Sequence, residues 1–217
     1  MGPRTRLLIG LDFDGTLTPL RPRPGQVRLA SSTRALLEAL ARKPGVTVAV
    51  VSGRALPDLR RRAKARGVRL GGNHGLELED WVHPAARAAR PRLAAAAAEL
   101  RRLYPRLLVE DKRWSVSIHR APAPPVLALA RRLRLHARVG KRVVELLPTA
   151  KWHKGHALRK LADGGRILYA GDDATDELAF RLLGRKALTV KVGPGPTAAR
   201  YRLGGVSAVR RLLAALR

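Results

Sequence analysis

The stretch LLIGLDFDGTLTPL, Leu7–Leu20, runs from a short apolar segment straight into two aspartates, Asp12 and Asp14, and then a glycine. Its first part reads as a strand over Leu7–Asp12, buried on both faces and stopped at its carboxyl end by acid. Segments of the same kind recur at Val46–Ser52, Arg166–Gly171 and Ala187–Gly193. Between them lie helical patterns: Ser32–Arg42 with Ser31 or Ser32 as N-cap, Leu56–Ala65, His153–Ala162 and Asp176–Leu183. Strands that alternate with helices predict an α/β fold built on a doubly wound parallel sheet.

The middle of the chain follows another rule. After GGNHGLELED come a helix over Pro84–Leu103, strand-like runs at Leu107–Asp111 and Trp114–His119, a helix over Pro125–His136 and a strand over Arg138–Leu147. The run RWSVSIHR alternates polar and apolar residues, as a sheet with only one face against a core does. Residues 80–148 are therefore read as an inserted α+β cap, and residues 1–79 with 149–217 as the core. The proline-rich stretches PLRPRPGQ, Pro19–Gln26, and RAPAPP, Arg120–Pro125, read as loops.

With 217 residues the chain can bury a sizeable core, and with no cysteine it can hold neither a disulfide nor a thiolate metal site. Arg4 and Arg6 precede the first apolar run, but Asp12 and Asp14 interrupt it before a signal-peptide core is complete. The Ala-rich tract Leu93–Leu100 is too short to span a bilayer. A soluble, cytoplasmic protein is expected, with no membrane partner; oligomeric state is left open and a monomer is compatible. Arginines and lysines number 44 against 16 acids, a net charge of +28, so anions are attracted to most of the surface. Aromatic residues, which base stacking needs, are only 4% of the chain, so the charge reads as solvated faces and not as a specific nucleic-acid site.

In open α/β sheets ligands bind at the carboxyl ends of strands, and the polar clusters fall there: DFDGT (Asp12–Thr16), VVSGR ending in Ser52, Gly53 and Arg54, HKG with Lys154, and GDDATDE (Gly171–Glu177). Each alone has a plain reading, as a capped turn or an N-capped helix. Together they bring Asp12, Asp14 and Asp172 or Asp173 to one edge, where carboxylates repel unless a cation joins them. Oxygen donors without His or Cys suit Mg²⁺. Lys154 and Ser52 would neutralise and hydrogen-bond a phosphoryl group, and Gly15 and Thr16 would offer donors to its oxygens. One aspartate can attack phosphorus while the other handles the leaving-group proton, which makes a phosphatase.

These motifs, in this order, resemble those of the haloacid-dehalogenase (HAD) superfamily, whose core is Rossmann-like. With GNHGLE, VEDKRWSVSIHR and VELLP added, the chain resembles the trehalose-6-phosphate phosphatases nearly end to end. The resemblance implies a Mg²⁺-dependent hydrolase of trehalose biosynthesis, with a small-molecule sugar phosphate as its partner. It implies Asp12 as nucleophile and metal ligand, and Asp14 as general acid/base that lends its backbone carbonyl to the metal. Asp172 would be the remaining metal ligand, with Asp173 and Asp176 in support. Thr16, Ser52, Gly53, Arg54 and Lys154 would hold phosphate, Lys154 also clamping the nucleophile. Gly72, Asn73, His74, Gly75 and Glu77 would lie at the core–cap junction, and Lys112, His119, Arg120 and Glu145 would face the sugar.

The chain departs from that pattern at His153, where relatives often have Asn, and at Leu147, where they have a basic residue. Phosphatases of sucrose 6-phosphate or mannosylglycerate phosphate share the core motifs and are the near alternative. A phosphomutase and a basic nucleic-acid-binding protein are more remote. If the charge is general, binding to nucleic acid seen at low salt should vanish by physiological ionic strength in a filter or anisotropy assay; structure-selective nanomolar binding that survives would reverse this reading.

Overall fold

The computed structural model describes residues 6–21, 27–140 and 142–217. Arg4, most of the proline-rich stretch Pro19–Gln26 and Lys141 lie outside the described residues. The chain divides into two compact units, one over Met1–Glu79 and His153–Arg217 and the other over Asp80–Trp152.

The first unit contains strands β1 (Leu7–Leu11), β2 (Val46–Val51), β3 (Val68–Gly72), β4 (Glu77–Leu78), β10 (Arg166–Gly171), β11 (Ala187–Val192) and β12 (Tyr201–Leu203). They lie side by side in the order β12-β11-β10-β1-β2-β3-β4. All neighbouring pairs are parallel except β3 with β4. Leu11, the last residue of β1, has Ala170 on one side and Val50 on the other. The chain order reverses across β1, so the carboxyl end of β1 is the switch point at which such sheets hold ligands. The buried faces of β1, β2 and β10 supply Ile9, Leu11, Val48, Val50, Leu168 and Ala170 to one apolar cluster.

The helices of this unit are α1 (Ser31–Ala41), α2 (Leu56–Ala63), α5 (Lys154–Ala162), α6 (Ala174–Leu183) and α7 (Val206–Leu216). Neither Ser31 nor Ser32 caps α1: Ala30 holds the N-cap position without a side-chain bond. Burial of Thr33, Leu37 and Leu40, spaced to share one face, holds the helix in place of a cap. Strands β3 and β12 and helix α7 were absent from the sequence expectation. In α7 only Val209 and Leu213 are buried, a stripe too thin to stand out among arginines.

The second unit contains β5 (Trp81–Val82), β6 (Val109–Asp111), β7 (Val116–His119), β8 (His136–Val139) and β9 (Val143–Leu147), with helices α3 (Pro84–Leu103) and α4 (Ala123–Arg132). Four of its strands form an antiparallel sheet in the order β6-β7-β9-β8. Val116, Ile118, Val144 and Leu146 pack with Ala89, Leu93 and Val126 of the two helices. The other face of the sheet is polar. Trp152 stacks on Trp81 and His83 at ring separations of 5.2 and 4.6 Å, which joins the two ends of the unit.

Two expectations change here. The single strand read over Arg138–Leu147 is instead the end of β8 and the whole of β9, two strands of a hairpin that pairs Arg138 with Glu145 and Val139 with Val144. RAPAPP is not wholly loop, because Ala123–Pro125 open α4, where missing backbone donors cost nothing. Among the described residues no helix is long and apolar enough to cross a membrane.

Helix α2 shows how this basic chain uses its few acids. Asp58, in its first turn, accepts from Arg54 Nη1 at 2.8 Å, from Arg62 Nε at 2.9 Å and from Arg61 Nη2 at 3.2 Å. Burial would raise this carboxyl, but the bonds from Arg62, Arg54 and Arg61 outweigh it and hold it well below the ordinary value of 3.8. A depressed carboxylate contributes stability that is present above its unfolded value and lost as pH falls through its folded one. Asp58→Asn should therefore cost about 1 kcal/mol near neutral pH, a figure reduced for solvent screening. Urea denaturation should find the cost shrinking at about pH 3; an equal cost at both pH values would contradict the assignment.

Candidate active site

The carboxyl end of β1 is continued by a backbone bond from Asp12 N to Ala170 O at 2.9 Å, which fixes Asp12 at the switch point. Asp12 is buried, and its Oδ1 accepts from Lys154 Nζ at 2.6 Å. Phe13 turns into the core, and the chain then folds back, Leu17 N and Thr18 N both donating to Phe13 O. The two aspartates of this turn have different partners. Asp14 receives both arms of Arg54, Nε on Oδ2 and Nη2 on Oδ1, each at 2.7 Å.

Lys154 opens α5, whose N-cap is His153, its Nδ1 accepting from Gly155 N at 3.3 Å. Only 1% exposed, Lys154 bridges Asp12 and Asp176, the second at 2.8 Å. Asp176 is the hub of the loop between β10 and α6. It accepts from Lys154 Nζ, from Tyr169 Oη at 2.5 Å and from the backbone N–H groups of Asp172 and Asp173 at 2.8 and 3.0 Å. Four donors fill the lone-pair capacity of one carboxylate. Asp173 caps α6, accepting from Thr175 N and Asp176 N in a capping box. Thr16 Oγ1 lies 3.3 Å from Asp172 Oδ1, and Lys191 Nζ donates to the Asp172 carbonyl.

Two glycines allow this crowding. Gly15 sits at φ +85°, and a Cβ there would fall 2.1 Å from the Asp172 carboxylate. At Gly171 a Cβ would fall 2.2 Å from Asp176 Cγ. The oxygens of Asp12, Asp172 and Asp176 come within 4.8 Å of one another, the arrangement among the described residues that could hold a cation.

The electrostatics follow from burial. Desolvation raises Asp12 well above the ordinary carboxylate range despite Lys154, with Asp176, Asp173 and Asp172 adding to the rise. Asp172 is pushed up to about 6, first by burial and then by Asp176 and Asp173. Burial opposes the Lys154 ammonium, but Asp12 and Asp176 outweigh it and hold its pKa well above normal. Burial and Asp176 likewise raise the Tyr169 phenol, so its proton stays on oxygen and is donated. One buried ammonium thus faces more carboxylates than it can compensate, a demand that a divalent cation on hard oxygen donors would meet.

At the end of β2, buried Ser52 accepts from Arg54 N at 3.2 Å and gives its carbonyl to His74 N at 2.9 Å. Asn73, His74 and Gly75 follow one another at positive φ, 48°, 58° and 83°. Glu77 Oε1 braces this bend, accepting from Leu56 N at 2.6 Å and Asn73 Nδ2 at 2.7 Å. Asn73 and Glu77 therefore have structural partners in this unit. In the second unit Lys112 Nζ and Ser115 Oγ both reach Glu145 Oε1 at 3.2 Å. His119 pairs with Glu110 at 2.8 Å, and Arg120 is exposed, at φ 62°.

Sequence reasoning gave Asp176 a supporting part and missed Tyr169, Lys191 and Ser115. Lys191 had a signal: a single charge inside the apolar strand ALTVKV.

The trehalose-phosphatase family model matches residues 10–207. A trehalose-phosphate phosphatase of Mycobacterium tuberculosis is 36% identical over 222 residues, which cover 88% of this chain and 56% of that protein. An uncharacterised glycosyl hydrolase from the same species is 39% identical over 210 residues, 81% of this chain but 16% of that protein. The chain thus spans about half or less of the curated relatives it matches. The crystal structure of a trehalose-6-phosphate phosphatase related protein superposes with a TM-score of 0.83 at 26% identity, covering 96% of each chain. The C-terminal domain of a Candida albicans trehalose-6-phosphate phosphatase shares the fold at a TM-score of 0.76 and 22% identity, covering 98% of this chain and 92% of that one.

Asp176 has no freedom to yield to an added methyl group. Gly171→Ala should lose about 1–3 kcal/mol in urea unfolding. A variant as stable as the parent would show that the hub is looser than its bonds imply.

Proposed function

The chain belongs to the trehalose-phosphatase family, and from that premise we propose that it hydrolyses trehalose 6-phosphate to trehalose and inorganic phosphate through a phosphoryl group carried on Asp12. The observation that carries the chemistry is the buried Asp12–Lys154–Asp176 chain at the sheet's switch point, with Asp172 beside it. Mg²⁺ would be held by Asp12 and Asp172 with the Asp14 carbonyl, and when bound it neutralises this cluster and the phosphoryl oxygens.

An oxygen of Asp12 forms a bond to phosphorus as the bond from phosphorus to the sugar oxygen breaks. Lys154 orients the attacking carboxylate and offsets charge on the transferred group. Asp14 hands a proton to the departing sugar oxygen and then takes one from the water that attacks the acyl phosphate. For this Asp14 must exchange Arg54 for the substrate, and the released guanidinium is then free to bind phosphoryl oxygens beside Ser52, Gly53 and Thr16. The first unit is assigned the phosphate, and the polar sheet face of the second unit, with Lys112 and Glu145, the sugar hydroxyls. The names of the relatives favour trehalose over other sugars; the core residues serve any phosphate monoester.

Phosphate release measured across the 6-phosphates of trehalose, sucrose and glucose, and mannosylglycerate phosphate, should be fastest with trehalose 6-phosphate. Preference for a monosaccharide would contradict the assignment. Asp12→Asn should lower kcat by at least about 10³-fold at matched folding. A chelator should stop turnover and added Mg²⁺ restore it, whereas indifference to chelation would remove the metal from the account.

A further inference from the structure

Lys191 is the one charged residue of β11, ALTVKV, and it is buried, 6% exposed. Its neighbours Val190 and Val192 join the first unit's apolar cluster. A β-branched apolar residue would suit position 191 of the strand better, because taking an ammonium out of water is costly. Parallel register sets Lys191 beside Gly171, the last residue of β10. From there Nζ donates to the Asp172 carbonyl, and among the described residues Lys191 forms no ion pair. Lys154, by contrast, is bridged by two carboxylates. What the buried Lys191 ammonium serves is therefore one backbone carbonyl, that of a residue in the acidic cluster.

That bond completes a grip on the loop after β10. The peptide between Asp172 and Asp173 is held on both sides. Its N–H, on Asp173, donates to Asp176 Oδ2 at 3.0 Å, and its carbonyl, which points the opposite way in a trans peptide, accepts from Lys191. The preceding peptide is held through Asp172 N, which donates to the same Oδ2 at 2.8 Å. Both peptide planes beside the Asp172 Cα are thus fixed, and with them the direction in which its side chain leaves the backbone. That direction brings a carboxylate oxygen of Asp172 within 4.8 Å of oxygens of Asp12 and Asp176. The bond to this carboxylate from Thr16 Oγ1, at 3.3 Å, is long, so the backbone does most of the aiming. We propose that Lys191 is a positioning residue: by anchoring the Asp172 carbonyl it keeps the Asp172 carboxylate turned toward Asp12 and so strengthens the binding of a divalent cation to the cluster. This rests on the assignment of Asp172 as a metal ligand above, and adds to it a residue that acts through that ligand. Charge alone gives the opposite sign, since an ammonium beside the cluster repels Mg²⁺ and its removal would tighten binding.

The test is Mg²⁺ binding measured by isothermal titration calorimetry with no substrate present, on proteins that near-UV circular dichroism shows to be folded. Lys191→Met, which keeps the length of the side chain but not its donors, should raise the Kd for Mg²⁺ about tenfold. The chain has no cysteine, so Lys191→Cys offers a single thiol that can be alkylated with 2-bromoethylamine in urea before refolding. This restores a lysine-like ammonium with sulfur in place of one methylene. Aminoethylation should bring the Kd of Lys191→Cys severalfold down, toward that of wild type refolded in the same way. If Lys191→Met does not fold, Lys191→Cys before and after aminoethylation decides alone. A Kd unchanged or lowered in Lys191→Met, or no gain on aminoethylation, would overturn the inference. A wild type that binds no Mg²⁺ would overturn the metal assignment and the inference with it.

Discussion

The first unit's site depends on one buried ammonium. Lys154 bonds Asp12 at 2.6 Å and Asp176 at 2.8 Å, and all three groups are removed from water. Taking charges out of water is costly, and the cost is offset only when geometry and further hydrogen bonds are good. Here they are good on one side: Asp176 has four donors. On the other side Asp12 remains raised and Asp172 is pushed up to about 6, so the cluster is under-neutralised where the proposed chemistry would place a cation and a phosphoryl group. The same bonds tie α5 and the β10–α6 loop to the end of β1.

The overall charge of +28 has a local counterpart in how the acids are placed. Six of the sixteen acidic residues lie in DFD and GDDATDE, at the two strand ends that form the site. Asp58 gathers three arginines to brace α2, and Glu77 pins the start of that helix by its backbone. Most acids described here are either at the site or holding an element that positions it. The surrounding positive field attracts anions and makes close carboxylates easier to tolerate.

Much of this was legible in the sequence because the strands of a doubly wound sheet end where their composition changes from apolar to acidic or glycine. The strand ends at Asp12, Ser52 and Gly171 came directly from that change. The division of labour between Asp12 and Asp14 did not. Spacing by two residues predicts a shared direction, but the bend after Phe13 and the reach of Arg54, forty residues on, gave Asp14 a separate partner. Asp176 reads locally as a helix residue near a cap; its role as hub depends on Tyr169, Lys154 and a glycine that admits it. The β8–β9 hairpin was missed although Gly140, Lys141 and Arg142 part its two apolar runs, a turn signal read instead as the middle of one strand.

The central claim is that Asp12 carries the phosphoryl group. Rapid acid quench of wild-type enzyme with trehalose 6-phosphate and Mg²⁺, followed by peptide mass spectrometry, tests it most directly. The account predicts a phosphorylated peptide containing Asp12 that forms and decays within one turnover. Full-rate phosphate release with no covalent species at any quench time, or a phosphoryl group on another residue, would contradict it.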